Sequence, residues 1–291
     1  MSITSTEASD LFRREPHRYL NVGDAEVAYR RVGTGPDVLF VHGWPLSSAT
    51  FRKLLPHLAD RVTCHLIDLP GAGSSRFDAN STLSLAQHIE TVRRSIDLLG
   101  LESVGVVGHD SGGLIARYAV ATDPRLRALA LIDTEQSHGI TLKFRSFLAP
   151  RHVPGFGAAL GWLAGQPRLR RSPLVLGDAF VDRSLLDGEF DEFFLQPLHR
   201  SPEHLRAAMR VLKSFDYRLV HELESVHRTI TAPVLLVWGE QDRFFPVERA
   251  HKMVDDFPDA RIEVIAGAGL CAHEERPHEV AEVLLSTLAA S

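Results

Sequence analysis

The chain has 291 residues, long enough for one large α/β domain or for a domain that carries an insertion. Its hydrophobic content of 44% and charged content of 24% are ordinary for a globular protein, and a net charge of −5 argues against nucleic acid as the main partner. Two cysteines favour a reducing, cytoplasmic setting, and the absence of a signal-peptide core or a run of about 18 apolar residues argues against a membrane partner.

Strands alternate with helices along most of the chain, after a polar stretch at residues 1–18 that is predicted to be a loose leader. Strands are predicted at residues 19–22, 26–31, 37–41, 62–66, 128–132, 234–238 and 261–265, and a further strand is predicted at the start of the segment 104–116. Helices are predicted at residues 48–58, 82–100, 247–257 and 277–288, and a further helix is predicted to begin within the segment 104–116. The apolar run at 37–41 is typical of a strand buried on both faces, and Gly100 is a typical helix stop.

Strand-like runs disappear between residues 135 and 228, where Arg, Phe, Leu and Pro recur at helical spacing. The alternation on either side predicts an α/β fold with a mostly parallel, doubly wound sheet. We therefore expect a core domain of residues 1–134 and 229–291. Residues 135–228 would form a helical cap over the carboxyl ends of the strands.

Asp110 lies at the centre of the most informative segment, residues 104–116. This segment indicates a buried strand, a very sharp turn and a helix, with Gly108 and Gly112 on either side of Asp110. Small residues at these places let two backbone segments pass closely, as in a nucleophile elbow. Capping of the following helix is the simpler role for Asp110. The glycine pattern nevertheless favours a nucleophile, and a carboxylate suits attack at a saturated carbon because it needs no base to ionise at neutral pH.

Four motifs occur in the order expected of a known family. They are His42-Gly-Trp-Pro45, Asp68-Leu-Pro-Gly-Ala-Gly-Ser74, Gly108-His-Asp-Ser-Gly-Gly113 and Gly239-Glu-Gln-Asp242. In these motifs the chain resembles the α/β-hydrolase fold over residues 20–288. Within that fold it resembles the branch with an Asp nucleophile, the epoxide hydrolases and dehalogenases.

The resemblance implies an oxyanion hole made by the backbone N–H groups of Trp44 and Ser111, with a cis bond between Trp44 and Pro45. It implies that Asp242, after the strand at 234–238, is the acid that orients a histidine. Asp133 is the fallback acid, although a loop or cap role fits it better.

The expected histidine is missing from its place in the pattern. When the segment is aligned on Pro277, that place holds Leu270, and His273 is the only histidine in the loop. Either the loop is reshaped so that His273 serves as the base, or the base is absent through natural loss or an engineered change. Since this base activates water against the alkyl-enzyme ester, its absence would let the ester persist.

The leaving group is also judged from the resemblance. Haloalkane dehalogenases place Trp directly after the nucleophile, where this chain has Ser111, so that interpretation is weakened. Epoxide hydrolases use cap tyrosines to donate hydrogen bonds to the opening oxygen, and Tyr217 is the candidate donor here. His138 and His152 are alternatives, and packing within the cap is an equally good role for Tyr217.

The sequence thus predicts an epoxide hydrolase that acts on a small apolar epoxide through a covalent ester on Asp110, with Asp242, His273 and Tyr217 as partners. A haloalkane or haloacid dehalogenase is the alternative within the same class. A ligand-binding protein with impaired turnover is the alternative of another class, and Leu270 favours it. No cofactor or metal is implied. The substrate is the expected partner, and the sequence leaves a homodimer open.

Overall fold

The computed structural model describes residues 3–173 and 175–289, and within them nine strands form one sheet. The strands are β1 (Arg18–Asn21), β2 (Ala25–Gly33), β3 (Asp37–Val41), β4 (Thr63–Ile67), β5 (Arg76–Phe77), β6 (Val104–His109), β7 (Leu126–Ile132), β8 (Val234–Gly239) and β9 (Ala260–Ile265). The sheet order is β1-β2-β4-β3-β6-β7-β8-β9, and β5 pairs with β2.

The sheet is parallel from β4 to β9 and antiparallel only around β2. Helices cover both faces, so β6 and β8 are buried along their whole length and carry continuous apolar runs. One apolar cluster fills each side of the sheet, and a third lies beneath the inserted helices. The predicted α/β fold with a mostly parallel sheet is confirmed.

The helices of the core are close to those predicted. They are α1 (Ser5–Arg13), α2 (Leu55–Leu58), α3 (Leu85–Leu99), α4 (Ser111–Val120), α12 (Val247–Met253), α13 (Ala272–Glu275) and α14 (Pro277–Leu288). The helix predicted at residues 48–58 is instead a 3-10 turn, Ser48–Phe51, followed by α2. Gly100 ends α3 as expected, with a positive φ of 64°.

The predicted loose leader at residues 1–18 is wrong, because α1 lies within it. Thr4 and Glu7 form a capping box in which the Thr4 side chain accepts from the Glu7 N–H and the Glu7 carboxylate accepts from the Thr4 N–H. Ala8 on this helix is fully buried, so the segment also contributes to the core.

Between β7 and β8 the described residues form helices and no strand. They are α5 (Leu142–Leu148), α6 (Phe156–Ala164), α7 (Pro167–Arg170), α8 (Gln196–Arg200), α9 (Pro202–Lys213), α10 (Tyr217–His221) and α11 (Leu223–His227), with 3-10 turns at Ala149–His152 and Arg183–Leu186 and a π turn at Asp191–Leu195. The division into a core and a cap at residues 135 and 228 stays a prediction. None of the described helices has both the length and the hydropathy needed to cross a bilayer.

Candidate active site

Asp110 occupies a sharp turn between β6 and α4, with φ 50° and ψ −135°. A non-glycine residue in this region is strained and is held there by its surroundings. The turn is tight because a Cβ on Gly108 would lie 2.6 Å from the Cα of Gly113. The backbone N–H of Asp110 donates to the carbonyl oxygens of Ile132 (3.2 Å) and Asp133 (3.1 Å) at the end of β7. The sequence therefore builds an elbow that presents a carboxylate at the carboxyl edge of the sheet.

Two backbone amides converge on this carboxylate. The Trp44 N–H donates to Asp110 Oδ2 at 3.0 Å, and the Ser111 N–H also donates to the carboxylate. These are the two amides predicted as the oxyanion hole. The Trp44–Pro45 peptide bond is cis, in agreement with the resemblance. Donors in this position stabilise negative charge on the carboxylate.

Burial is the main cause that raises the pKa of Asp110 well above its usual range, and the negative charge of Glu135 adds to it. The amides of Ser111 and Trp44 act in the opposite direction, because they stabilise the charged form. The expectation of an ordinary, fully ionised aspartate at neutral pH therefore needs correction. Asp110 shares its proton equilibrium with other buried carboxyls.

An apolar cavity lies against Asp110 and encloses about 840 Å³ of empty space, part of it open to solvent. Its walls come from both the sheet edge and the inserted helices. The described residues that line it are Trp44, Pro45, Leu46, His109, Asp110, Ser111, Glu135, Phe144, Phe147, Leu148, Val175, Leu176, Ala179, Phe180, Leu186, Phe190, Leu195, Leu212, Phe215, Phe244, Phe245, Leu270 and Cys271. Such a wall favours an apolar ligand that meets a few polar groups at one end.

Asp242 follows β8, where the resemblance places the orienting acid. Its Oδ1 accepts from the N–H groups of Phe244 (2.7 Å) and Phe245 (3.0 Å), while its Oδ2 is buried and has no partner among the described residues. Burial raises the pKa of Asp242 to about 7. The carboxyl is therefore held firmly on one side and has one oxygen available to a donor.

Asp133, the fallback acid, has both oxygens occupied. Oδ1 accepts from the Gly239 N–H (2.7 Å) and Oδ2 from the Ala272 N–H (3.3 Å). Its side chain is fully buried and joins the end of β8 to the start of α13. This contact pattern supports the structural role that the sequence favoured.

His273 does not reach Asp110 or Asp242, contrary to the prediction that it serves as the base. It lies in α13, and its Nε2 shares a 2.7 Å hydrogen bond with Thr50 Oγ1. The ring is fully buried against the ring of His109, with 4.3 Å between centroids. Burial lowers its pKa to about 3, and it is not among the described residues that line the cavity. The loop is therefore not reshaped in the way that the hypothesis required.

Leu270 occupies the cavity wall at the place where the pattern expects the histidine. Its carbonyl oxygen accepts a hydrogen bond from His109 Nε2 at 3.0 Å. Leu270 thus brings an apolar side chain to the site, and its carbonyl oxygen holds the His109 ring in place.

Comparison with known proteins agrees with the fold. Residues 36–277 match the family described as alpha/beta hydrolase fold. The chain belongs to the α/β-hydrolase fold family.

Relatives within this α/β-hydrolase family differ in the activities that their names state. A pimeloyl-[acyl-carrier protein] methyl ester esterase of Chromobacterium violaceum is 29% identical, over 79% of this chain and 85% of its own. An uncharacterised hydrolase of Bacillus subtilis is 25% identical, over 83% of this chain and 86% of its own. The structure of the epoxide hydrolase CorEH superposes with a TM-score of 0.78 at 19% identity, over 95% of this chain and 99% of that one. That structural likeness shows the fold alone.

Tyr217 is not among the described residues that line the cavity of this α/β hydrolase, contrary to the prediction of a hydrogen-bond donor there. It begins α10, and its hydroxyl accepts from Arg151 Nη1 at 3.4 Å. Phe215, two residues earlier, lines the cavity instead. The alternatives His138 and His152 are not among the lining residues either.

Glu135 is a cavity residue that the sequence interpretation used only as a domain boundary. It is 1% exposed, and its Oε1 has no partner among the described residues. The sequence does contain a signal for Glu135 as a site residue. Asp133-Thr-Glu135 follows a buried strand, at the edge of the sheet where parallel sheets bind their ligands. His109 was also missed, since the pattern assigns no role to the residue before the nucleophile.

Proposed function

We propose that this α/β hydrolase opens a small apolar epoxide by attack of the Asp110 carboxylate, which forms a covalent alkyl ester. The observation that carries the proposal is the position of Asp110 at the elbow, with two backbone amides on its carboxylate and an apolar cavity in front of it. A carboxylate that attacks a saturated carbon gives an ordinary ester, and the strained epoxide ring supplies the driving force.

The esterase activity that the names of some relatives state is poorly suited to a site with an aspartate nucleophile. Attack of Asp110 on an acyl carbon would give a mixed anhydride, which is far less stable than the acyl ester formed by a serine. Ser111 follows the elbow position, and its hydroxyl lies 3.4 Å from Asp110 Oδ2. The site chemistry therefore favours alkyl transfer over acyl transfer.

A halide leaving group is less well supported than an epoxide oxygen. Halide release requires N–H donors at the departing atom, and the indole N–H of Trp44 is already donated to the Ala208 carbonyl oxygen at 2.8 Å. The residue after Asp110 is Ser111, which brings no indole. A dehalogenase consequently ranks below an epoxide hydrolase.

Hydrolysis of the ester is the slow step in this proposal. No histidine among the described residues contacts Asp242, and His273 is held by Thr50. Because no described histidine is placed beside Asp242 to activate water, we expect hydrolysis to be slower than ester formation, and the ester should live long enough to be detected.

Intact-mass spectrometry after incubation with styrene oxide or 1,2-epoxyhexane tests the proposal. We expect a mass increase equal to the whole epoxide, located on Asp110 by peptide mapping, and no increase in the Asp110→Asn variant. Haloalkanes and p-nitrophenyl esters are the comparison substrates. Halide release without epoxide adducts would favour a dehalogenase, and ester cleavage that survives in Asp110→Asn would overturn the role of Asp110.

A ligand-binding protein is the second candidate, and the observation that favours it is Leu270 at the histidine position. It predicts saturable binding of an apolar probe with neither adduct nor diol formed. Calorimetric titration with the substrate panel, run beside the mass measurements, separates the two candidates.

A further inference from the structure

Glu135 and Asp110 lie at the carboxyl ends of the neighbouring strands β7 and β6, and both line the cavity. Thr134 joins them, because its Oγ1 lies 2.7 Å from the Asp110 carbonyl oxygen and 3.1 Å from Glu135 Oε2. The two carboxyls are close enough for the charge of Glu135 to raise the pKa of Asp110. The site therefore contains a carboxyl pair.

The hydrogen bonds around Thr134 bear on the protonation of Glu135. Thr134 Oγ1 accepts from Arg117 Nη2 at 2.9 Å and has a single hydrogen to donate. If that hydrogen goes to the nearer acceptor, the carbonyl oxygen of Asp110, then the contact with Glu135 Oε2 is a hydrogen bond only when Glu135 carries the proton. In that arrangement the contacts around Thr134 are satisfied with Glu135 neutral.

The hydrogen-bond donors at Asp110 favour the same arrangement, while burial raises the pKa of both carboxyls. Asp110 precedes the first turn of the ten-residue helix α4, and its carboxylate accepts from the backbone N–H groups of Ser111 and Trp44, which stabilises a negative charge. Glu135 Oε1 is buried and has no hydrogen-bond partner among the described residues, which disfavours a charge on that atom. Arg117, the backbone N–H of Glu135 and the Thr134 hydroxyl oppose this trend, because each lowers the pKa of Glu135 against the larger effect of burial.

We propose that Glu135 is a catalytic residue that protonates the epoxide oxygen while Asp110 attacks, and then takes a proton from the water that cleaves the ester. The inference rests on the proposed function and assigns to Glu135 both of the tasks that Tyr217 and His273 are not placed to perform.

The proton balance closes over the two steps. An Asp110 oxygen bonds to the epoxide carbon, the carbon–oxygen bond of the ring breaks, and the released oxygen takes the proton of Glu135. The Glu135 carboxylate then removes a proton from water as the water oxygen attacks Asp110 Cγ, and the N–H groups of Trp44 and Ser111 hold the resulting oxyanion. Collapse expels the diol oxygen, which takes the remaining proton of that water. Asp110 is again charged and Glu135 neutral.

The test measures the two steps separately, with enzyme in excess over styrene oxide and rapid quenching before mass analysis. Glu135→Gln keeps the shape of the side chain but has no proton to transfer. We expect adduct formation and ester hydrolysis each to slow by about 10²-fold or more, within the range for general acid–base catalysis, so that the adduct persists. Glu135→Asp, which keeps the proton on a shorter side chain, should lie between this variant and the wild type.

Asp178→Asn is the matched control, because it makes the same change at a buried carboxylate outside the described cavity lining that pairs with Lys143. Both steps should stay within about twofold of the wild type, since Asp178 has no proton to move in the reaction. Equal rates for the wild type and Glu135→Gln would overturn the assignment of Glu135 alone. A wild type that forms neither adduct nor diol would overturn the proposed function and this inference with it.

The pH profile of adduct formation gives a readout that a loss of folded protein cannot imitate. With both carboxyls protonated Asp110 cannot attack, and with both ionised Glu135 has no proton to give, so the wild-type rate should pass through a maximum. Burial raises the pKa of both groups, which places this maximum above the range of ordinary carboxyls. Glu135→Gln should keep the acid limb and lose the alkaline limb. An alkaline limb that remains would overturn the inference.

The other charged and titratable groups around the pair must be counted in this profile. The negative charge of Asp242 raises the pKa of Asp110. Arg117 interacts with Glu135, and burial lowers the pKa of Arg117 to about 10. His227 contacts Arg117 Nη1 at 3.0 Å. Asp256 lies behind His227, with 3.4 Å between its Oδ2 and His227 Nδ1. Arg117 titrates far above the maximum, so the limb assigned to Glu135 is separable from it.

Discussion

The two sides of the cavity differ in how completely they are built. On the elbow side, Asp110 has both of its amide donors, supplied by Trp44 and Ser111. On the loop side, Leu270 lines the wall, and Asp242, which is not among the described lining residues, has one oxygen without a partner and no described histidine hydrogen-bonded to it. The elbow uses backbone groups fixed by a strand, a turn and a helix. The loop side depends on a single side chain, which makes the second chemical step the easier one to lose.

Removal of the Asp110 carboxylate should have the largest effect. Asp110→Asn is expected to reduce adduct formation by at least about 10³-fold, because no other nucleophile occupies the elbow. Quenched-flow mass analysis with styrene oxide measures the rate. Asp178→Asn, which changes a buried carboxylate outside the described cavity lining, is the control and should keep adduct formation. Adducts that form on another residue in Asp110→Asn would contradict the elbow assignment.

A histidine at position 270 should supply the base that the loop side lacks and so speed hydrolysis of the ester. Leu270→His is expected to speed ester hydrolysis by on the order of 10²-fold, because Asp242 Oδ2 is free to accept from an imidazole at this place. The measurement is the decay of a preformed adduct. Leu270→Asn is polar but has no basic nitrogen, so it should give little gain, and Asp242→Asn in the Leu270→His background should remove most of it. No gain in Leu270→His would mean that this wall does not face the ester.

The elbow could be predicted from sequence because its determinants are local. Gly108 and Gly112 stand beside Asp110 after a buried apolar run, and the same few residues fix the turn in the structure. The helix Ser5–Arg13 was missed although its capping pair, Thr4 and Glu7, is equally local. The composition of that segment is polar, and only the buried face of the helix shows why it is ordered.

The residues that face Asp110 across the cavity could not be predicted, because the direction of each side chain depends on how its loop is wound. In the short helix α13 a difference of one residue turns a side chain by about 100°, so the helix phase decides whether His273 meets Thr50 or the cavity. The same holds for Phe215 and Tyr217, of which the first lines the cavity and the second contacts Arg151. Sequence order identifies the loop, while packing decides which of its residues faces the substrate.

Substitution of His273 should affect folding more than chemistry. His273→Gln is expected to lower the free energy of unfolding by about 1–3 kcal/mol, because it disturbs a buried hydrogen bond with Thr50. Denaturant titration measures this loss. Thr50→Val removes the other partner and should cost a similar amount, with ester hydrolysis near the wild-type rate in both. A tenfold slower hydrolysis in His273→Gln alone would return the base role to His273.

Asp242 should make stability depend on pH. Its pKa is raised to about 7 from an ordinary 3.8, so the folded state holds its proton more tightly than the unfolded state, and stability falls as pH rises between these values. Asp242→Asn removes this cost. We expect its melting temperature to exceed that of the wild type by a few degrees above pH 7, with the difference shrinking towards pH 4.

Asp133→Asn is the contrasting control for that measurement. Both Asp133 oxygens accept from backbone N–H groups, so an amide would place an N–H against a donor and lower the melting temperature. A melting temperature that falls in Asp242→Asn at every pH would show that the Asp242 carboxylate is charged and paired.

Tyr217 should show the smallest effect, and this distinguishes the present site from the pattern that the resemblance implied. Its hydroxyl accepts from Arg151 outside the described lining of the cavity, so Tyr217→Phe should change adduct formation by no more than about twofold. Phe215→Ala is the matched comparison two residues away, and it should weaken substrate binding because Phe215 lines the cavity. A tenfold slower epoxide opening in Tyr217→Phe would mean that the inserted helices move on binding and bring this hydroxyl to the epoxide oxygen. An unchanged rate leaves that oxygen to a donor on the sheet edge, where Glu135 lies beside Asp110.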